Sequence, residues 1–169
     1  MPDSRAFSTT YLRFVPPVRA KCRRLLGATM DSEEVVQETF VRLWESGPDA
    51  GADADARTVM AWLYRTCTRL AIDVLRRHRR HPALASEDAE GDEGLSGPPL
   101  EDAIAAKHLV LALCDRIPIE QLEAAVLCRV DGLSQPEAAR VLGISERTVR
   151  RLLERLDESM ADWRKEYTS

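Results

Sequence analysis

Apolar side chains return every three or four residues through most of this chain, with polar and charged residues between them. That period lays one apolar stripe along a helix, so the chain is predicted to be all-α. The first stripe is Phe7, Tyr11, Phe14, Val18, Cys22, Leu25 and Leu26. Pro16-Pro17 is expected to kink or split its helix, and Gly27 to end it. Asp31 is the expected cap of the next helix, with Glu34 three residues on and Val36, Phe40, Leu43 and Trp44 facing inward. The opposite face carries Glu34, Glu38, Val41 and Glu45, an acidic stripe with one aliphatic residue. Residues 46–56, SGPDAGADADA, have the composition of a loop. A long helix is expected from Thr58 to Arg80, with Met60, Leu63, Cys67, Leu70, Ala71 and Val74 inside. Arg65, Arg69, Arg76 and Arg80 stripe its outside, and Asp73 can pair with Arg69 or Arg77.

After residue 81 the period disappears. Residues 82–100, PALASEDAEGDEGLSGPPL, are acidic and rich in Gly, Pro and Ser, and read as a flexible, disordered linker. Two further amphipathic helices are expected over Glu101–Arg116 and Glu120–Val130, with Gly132 closing the second. The domain plan is therefore 1–81, a linker over 82–100, and 101–169. No strand pattern of useful length and no internal repeat occurs.

The most specific stretch is LSQPEAARVLGISERTVRRLLER, from Leu133 to Arg155. Ser134 with Glu137 makes a capping box, Pro136 fits the first helical turn, and Gly143 suits a sharp turn that requires positive φ. Ser145 caps a second helix. Ala138, Leu142, Ile144, Val149 and Leu152 stand where two steeply crossed helices touch, and Ala139 is small where they approach most closely. This is the anatomy of a helix-turn-helix. Arg147, Arg150, Arg151 and Arg155 crowd the exposed sides of the second helix, whose apolar face runs on through Leu153, Leu156, Met160 and Trp163. Arginine suits both phosphates and guanine edges in a major groove. A solvated amphipathic helix is the plainer reading, since Glu146, Glu154 and Glu158 lie nearby.

Net charge changes the picture only when divided. The chain is −4 overall, but residues 1–81 carry +4, residues 82–102 carry −7 and residues 103–169 carry −1. An acidic middle thus masks basic faces, and local patches set the field a groove meets. No apolar run approaches the roughly 20 residues of a membrane span, and MPDSRAFSTT lacks a signal-peptide core. A cytoplasmic protein without membrane insertion is expected. Cys22, Cys67, Cys114 and Cys128 are far apart and fall in apolar patterns, so they read as small buried thiols, and His78, His81 and His108 complete no ligand set. With no nucleophile–base pair, phosphate loop or metal spacing, neither enzymatic activity nor a cofactor is expected. Trp62 and Tyr64 can stack on unpaired bases, or serve as core beside Leu63.

Three stretches together resemble the bacterial RNA polymerase sigma factors of the extracytoplasmic-function (ECF) group. DSEEVVQETFVRLWE is similar to the polymerase-binding helix of the family's second conserved region. AWLYRTCTRLAIDVLRRHRR is similar to the helix that melts the promoter and reads its minus-ten element. IPIEQLEAAVLCRVDGLSQPEAARVLGISERTVRRLLERL resembles the fourth region, which reads the minus-thirty-five element. The resemblance covers nearly all of the chain outside the linker. It implies two small helical domains, region 2 and region 4, and core polymerase and promoter DNA as partners. Glu34, Gln37, Glu38 and Val41 would dock on the clamp coiled coil of the largest subunit, and region 4 on the flap of the second largest. Arg65, Arg69, Arg76 and Arg77 would approach the minus-ten element, with the 46–56 loop helping to hold a flipped base. Arg147, Arg150, Arg151 and Arg155 would meet the upstream element while Ser145 caps the reading helix. An anti-sigma factor is implied as a further partner. About 20 linker residues reach at most roughly 65–70 Å, comparable to two duplex turns of about 34–36 Å each.

The chain departs from the family pattern at Thr68-Arg69, where Arg-Asn is usual. It also departs at Arg147, Arg151 and Leu152, where a small residue, serine and arginine are usual. Two other readings compete. One is a sigma-like decoy that holds polymerase without opening promoters, and the other is a helix-turn-helix repressor acting on duplex DNA alone. Run-off transcription with core polymerase separates the three.

Overall fold

The structure, a computed structural model, describes residues 4–51, 54–84 and 100–168. All regular structure among them is helical, in two compact units, residues 1–96 and 97–169. The expected disordered linker falls mostly outside the described residues. Its first residues, Pro82–Leu84, form a short 3-10 turn, and Leu100 already belongs to the next helix.

The first unit is a three-helix packing of α1 (Ser4–Leu26), α2 (Met30–Ser46) and α3 (Ala56–Arg80). Its core joins Phe14, Val18, Cys22 and Leu25 of α1 to Val36, Phe40 and Leu43 of α2 and to Val59, Leu63, Cys67, Ala71 and Ile72 of α3. Each large aliphatic side chain buried this fully contributes about 1.5–3 kcal/mol. Two edge-to-face pairs fasten α1 to α2, Phe7 with Trp44 at 4.7 Å and Tyr11 with Phe40 at 4.8 Å between ring centres.

Pro16-Pro17 do not split α1, which runs as one helix through both. The carbonyls they leave without an amide partner belong to Leu12 and Arg13, both exposed, so water can take the place of the missing donors. Nor is Asp31 the cap of α2. Thr29 holds that position, its hydroxyl accepting from the Ser32 amide at 3.3 Å. Asp31 lies one step inside the helix and is claimed by a distant partner instead: its carboxylate is 3.0 Å from His78 Nε2 and 3.7 Å from an Arg77 nitrogen, both on α3.

The second unit contains α4 (Leu100–Leu113), α5 (Ile119–Ala125), α6 (Gln135–Leu142) and α7 (Glu146–Thr168). The single helix expected over Glu120–Val130 is regular only to Ala125 and then widens into a π-helical turn, Val126–Val130. The Asp131 amide donates to Val126 across that turn at 2.9 Å. Gln121 through Leu127 are buried without interruption, so this segment is core on every side rather than on one stripe. Val110, Leu113, Cys114, Leu122, Leu127, Val130, Ala138, Val149 and Leu156 complete the interior. Arg129 Nη2 donates to both carboxylate oxygens of Asp157, at 2.8 and 2.9 Å, and ties the π turn to α7.

Among the described residues no helix is long and apolar enough to cross a membrane, and no group of three or more His, Cys, Asp or Glu could hold a metal ion. Cys22, Cys67 and Cys114 are buried thiols. Cys128 is half-buried, and burial pushes its thiol above the ordinary range.

Candidate nucleic-acid interface and docking groove

The helix-turn-helix is built by its own sequence. Ser134 Oγ accepts from the Glu137 amide at 3.3 Å, while Glu137 Oε2 accepts from the Ser134 amide at 2.7 Å. Gly143 closes α6 with φ 67° and ψ 33°, and the Ile144 amide reaches back to Ala139 at 3.1 Å. Ser145 then caps α7, accepting from the Thr148 amide at 3.1 Å. Ala138, Ala139, Leu142 and Val149 are buried between the two helices.

Its cap is also an acid-sensitive device. Hydrogen bonds from the Ser134 amide and hydroxyl hold the Glu137 carboxyl below its ordinary value of 4.5. A carboxyl lowered in the folded state stabilises above its unfolded value, and that contribution is lost as pH falls through the lowered one. Ser134→Ala is therefore expected to cost the second unit about 1 kcal/mol near neutral pH. The penalty should shrink at pH 3, which urea titrations at the two pH values check.

At about 100° per residue, Arg147, Arg150, Arg151 and Arg155 share an arc of about 140° on α7. Val149, Leu152, Leu153 and Leu156 centre on the opposite side. All four arginines are exposed, and among the described residues none has an ion-pair partner. The face is open, convex and cationic, which suits a polyanion.

On α3 the arginines divide. Arg65, Arg69, Arg76 and Arg80 fall within about 60° of one another, and Trp62 shares that face, half-buried. Arg77 stands about 100° further round, beside Asp31. Tyr64 faces elsewhere, its ring 5.2 Å from Nζ of Lys21, a lysine only 1 % exposed. Thr68 is buried and donates its hydroxyl to the Tyr64 carbonyl at 2.7 Å, so at this departure from the family pattern only Arg69 reaches the surface.

The acidic stripe of α2 opens onto a groove of about 460 Å³ between α2 and α3. Glu34, Gln37, Glu38 and Val41 line one wall; Leu70, Asp73, Val74 and Arg77 line the other. Val41 is 47 % exposed, a large aliphatic side chain left in water. Glu38 Oε1 accepts from Arg42 Nε at 2.7 Å along the same helix. Arg77, expected with the other cations at the minus-ten element, also lines this groove.

The loop between α2 and α3 is held at both ends. The Gly47 amide closes α2 on the Leu43 carbonyl at 3.1 Å. Asp55 caps α3, accepting from the Arg57 and Thr58 amides and, at 2.7 Å, from the Thr58 hydroxyl, which lowers its carboxyl below the ordinary value. The composition of residues 46–56 hid this cap, although Asp followed three residues later by Thr was visible.

Comparison with known proteins agrees with this division. The Sigma-70 region 2 family profile matches residues 10–81, and the Sigma-70 region 4 profile matches residues 107–156. The chain is 31% identical over 156 residues to the RNA polymerase sigma factor CnrH of Cupriavidus metallidurans, covering 87% of this chain and 80% of that one. It is 28% identical over 169 residues to the ECF RNA polymerase sigma factor SigW of Bacillus subtilis, covering 94% and 88%. It is 30% identical over 149 residues to the ECF sigma factor SigE of Mycolicibacterium smegmatis, which it covers 86% to 56%, so the chain spans just over half of that relative. Among solved structures, CnrH in complex with the cytosolic domain of CnrY shares the fold, with a TM-score of 0.50 at 24% identity over 96% of this chain and 90% of that one. The chain belongs to the ECF RNA polymerase sigma factors, the alternative sigma subunits that direct transcription initiation by promoter recognition.

Proposed function

We propose that the two units divide promoter recognition as the family resemblance implies. The first unit docks on core polymerase through the α2–α3 groove, with Glu34, Gln37, Glu38 and Val41 on the clamp coiled coil of the largest subunit. Its α3 face, with Arg65, Arg69 and Arg76, meets the minus-ten element, and Arg77 serves at the margin of groove and DNA. Trp62 lies beside these cations and is suited to stack on an unpaired base. The second unit reads the minus-thirty-five element with Arg147, Arg150, Arg151 and Arg155, on a helix capped by Ser145, and docks on the flap of the second largest subunit. The observation that carries this reading is the coexistence in one chain of a mixed acidic–aliphatic groove and two separate arginine faces.

Neither face need bind DNA tightly alone. Each contributes phosphate and base contacts, and docking on one enzyme makes them a bivalent reader. Opening the duplex then needs no nucleotide hydrolysis, because capturing unstacked bases offsets a few kcal/mol of unstacking. Such work belongs in the cytoplasm with the polymerase. CnrH was solved with the cytosolic domain of CnrY, which supports an anti-sigma partner for this chain that covers the same groove and cationic faces.

Run-off transcription from genomic fragments with core polymerase tests the whole. Discrete transcripts support the reading, competition without transcripts favours a decoy, and polymerase-free footprints favour a repressor. Within the second unit, Arg150→Ala is expected to weaken upstream-element binding about tenfold, with the salt slope lowered by about 1 if the contact is to phosphate. Filter binding across a salt series checks it, and an unchanged slope argues against a phosphate contact.

A further inference from the structure

The α2–α3 loop has a third anchor, and it comes from α1, the helix that carries none of the proposed DNA-binding residues. Thr10 on α1 is 8 % exposed, and its hydroxyl donates to the Ala50 carbonyl across 2.7 Å in a buried bond. Ala50 itself is 2 % exposed although it sits mid-loop. Next to it, Asp49 Oδ1 accepts from the Gly51 amide at 2.9 Å, and Gly51 accepts from the Ala54 amide at 3.1 Å. A Cβ at Gly47 would stand 2.7 Å from the Leu43 carbonyl oxygen, so the chain leaves α2 by a path open only to glycine. A loop that only joined two helices would need none of this, since connecting segments ordinarily run over the surface with their backbone hydrated.

From these contacts we infer that Thr10 is a positioning residue for promoter melting: through Ala50 it fixes residues 47–51, the first part of the α2–α3 loop, in place to receive a flipped minus-ten base. This rests on the role that the family resemblance implies for the 46–56 loop and adds to it the device that sets its geometry. A receptor fixed before its ligand arrives does not lose the ordering entropy on binding. Thr10 is tied to the same framework as the groove, because its neighbours Phe7 and Tyr11 pack on Trp44 and Phe40 of α2. The hydroxyl matters more than the bulk. Removing it leaves a buried carbonyl without its donor.

The test uses the full chain assembled with core polymerase and a fork-junction template carrying a single-stranded non-template minus-ten element. Its paired control has an abasic site at the base proposed to flip. Wild type should prefer the intact strand. In Thr10→Val that preference should fall about tenfold, the scale of one buried hydrogen bond, while Thr10→Ser restores it to within about twofold. Assembly with core polymerase should stay unchanged in both, and hydrogen exchange at the Gly51 amide should rise only in Thr10→Val. If Thr10→Val keeps the full preference, the inference is overturned while the loop's role stands. If wild type shows no preference for the intact strand, the loop's role fails and the inference with it. If exchange rises and the preference persists, Thr10 only stabilises the loop, and the positioning role is overturned.

Discussion

Glu34→Lys combined with Glu38→Lys is expected to weaken assembly with core RNA polymerase about 100-fold, since like charges forced together across an interface cost several kcal/mol. The fold should survive. Both carboxylates are exposed, and surface substitutions of this kind usually move stability by no more than about 0.5 kcal/mol. The Arg42–Glu38 pair that is lost lies along one helix face and is worth about 0.3–0.5 kcal/mol. Glu45→Lys is the informative control. It reverses one charge on the same stripe, half the change of the double variant, but lies outside the groove-lining set, so it should alter affinity by no more than about threefold if steering alone is affected. Competition against a fluorescent sigma factor, with circular dichroism melting alongside, separates docking from folding. Equal affinity for the double variant and wild type would remove the groove from the proposal.

The groove and the helix-turn-helix differ in how they are written in the chain. The capping box at Ser134 and Glu137, the αL glycine at 143 and the second cap at Ser145 are local devices, each satisfied by residues within five positions. Local chemistry of that kind survives reading one residue at a time, and so does the apolar face of α7. Asp31 shows the limit. By spacing it is as good a cap as Thr29, but His78 and Arg77, some 46 residues away in the chain, draw its carboxylate across to α3. Arg77, about 100° round α3 from Arg76 by helical period, is thereby held beside Asp31 at the α2–α3 groove. Periodicity also failed where burial was complete. From Gln121 to Leu127 no polar face fixes the helical register, and nothing in the pattern announces the π turn that follows. Thr10 was invisible for a related reason: its partner is a backbone carbonyl 40 residues on, and a carbonyl has no letter in the sequence.

Val149→Asp should abolish promoter-directed transcription while leaving the first unit folded and able to compete for polymerase. Val149 is 0 % exposed, on the face of α7 that closes over Ala138 and Leu142 of α6. An ionised carboxylate there has no water. Its burial costs several kcal/mol even after relaxation. Protonation only exchanges that for an unpaired polar group, at about 1–3 kcal/mol, added to the lost apolar contact. A unit of this size is held by only about 4–11 kcal/mol, so either route removes most of its margin. The first unit has its own core in Val18, Leu25, Leu63 and Ile72 of α1 and α3. Limited proteolysis should therefore release the second unit as small fragments and spare the first. If the groove docks on polymerase as proposed, the variant should still displace a labelled sigma factor. Loss of both units in one step would mean that they fold as a single body. Retained transcription would mean that the crossing of α6 and α7 is not what presents Arg147, Arg150, Arg151 and Arg155 to DNA.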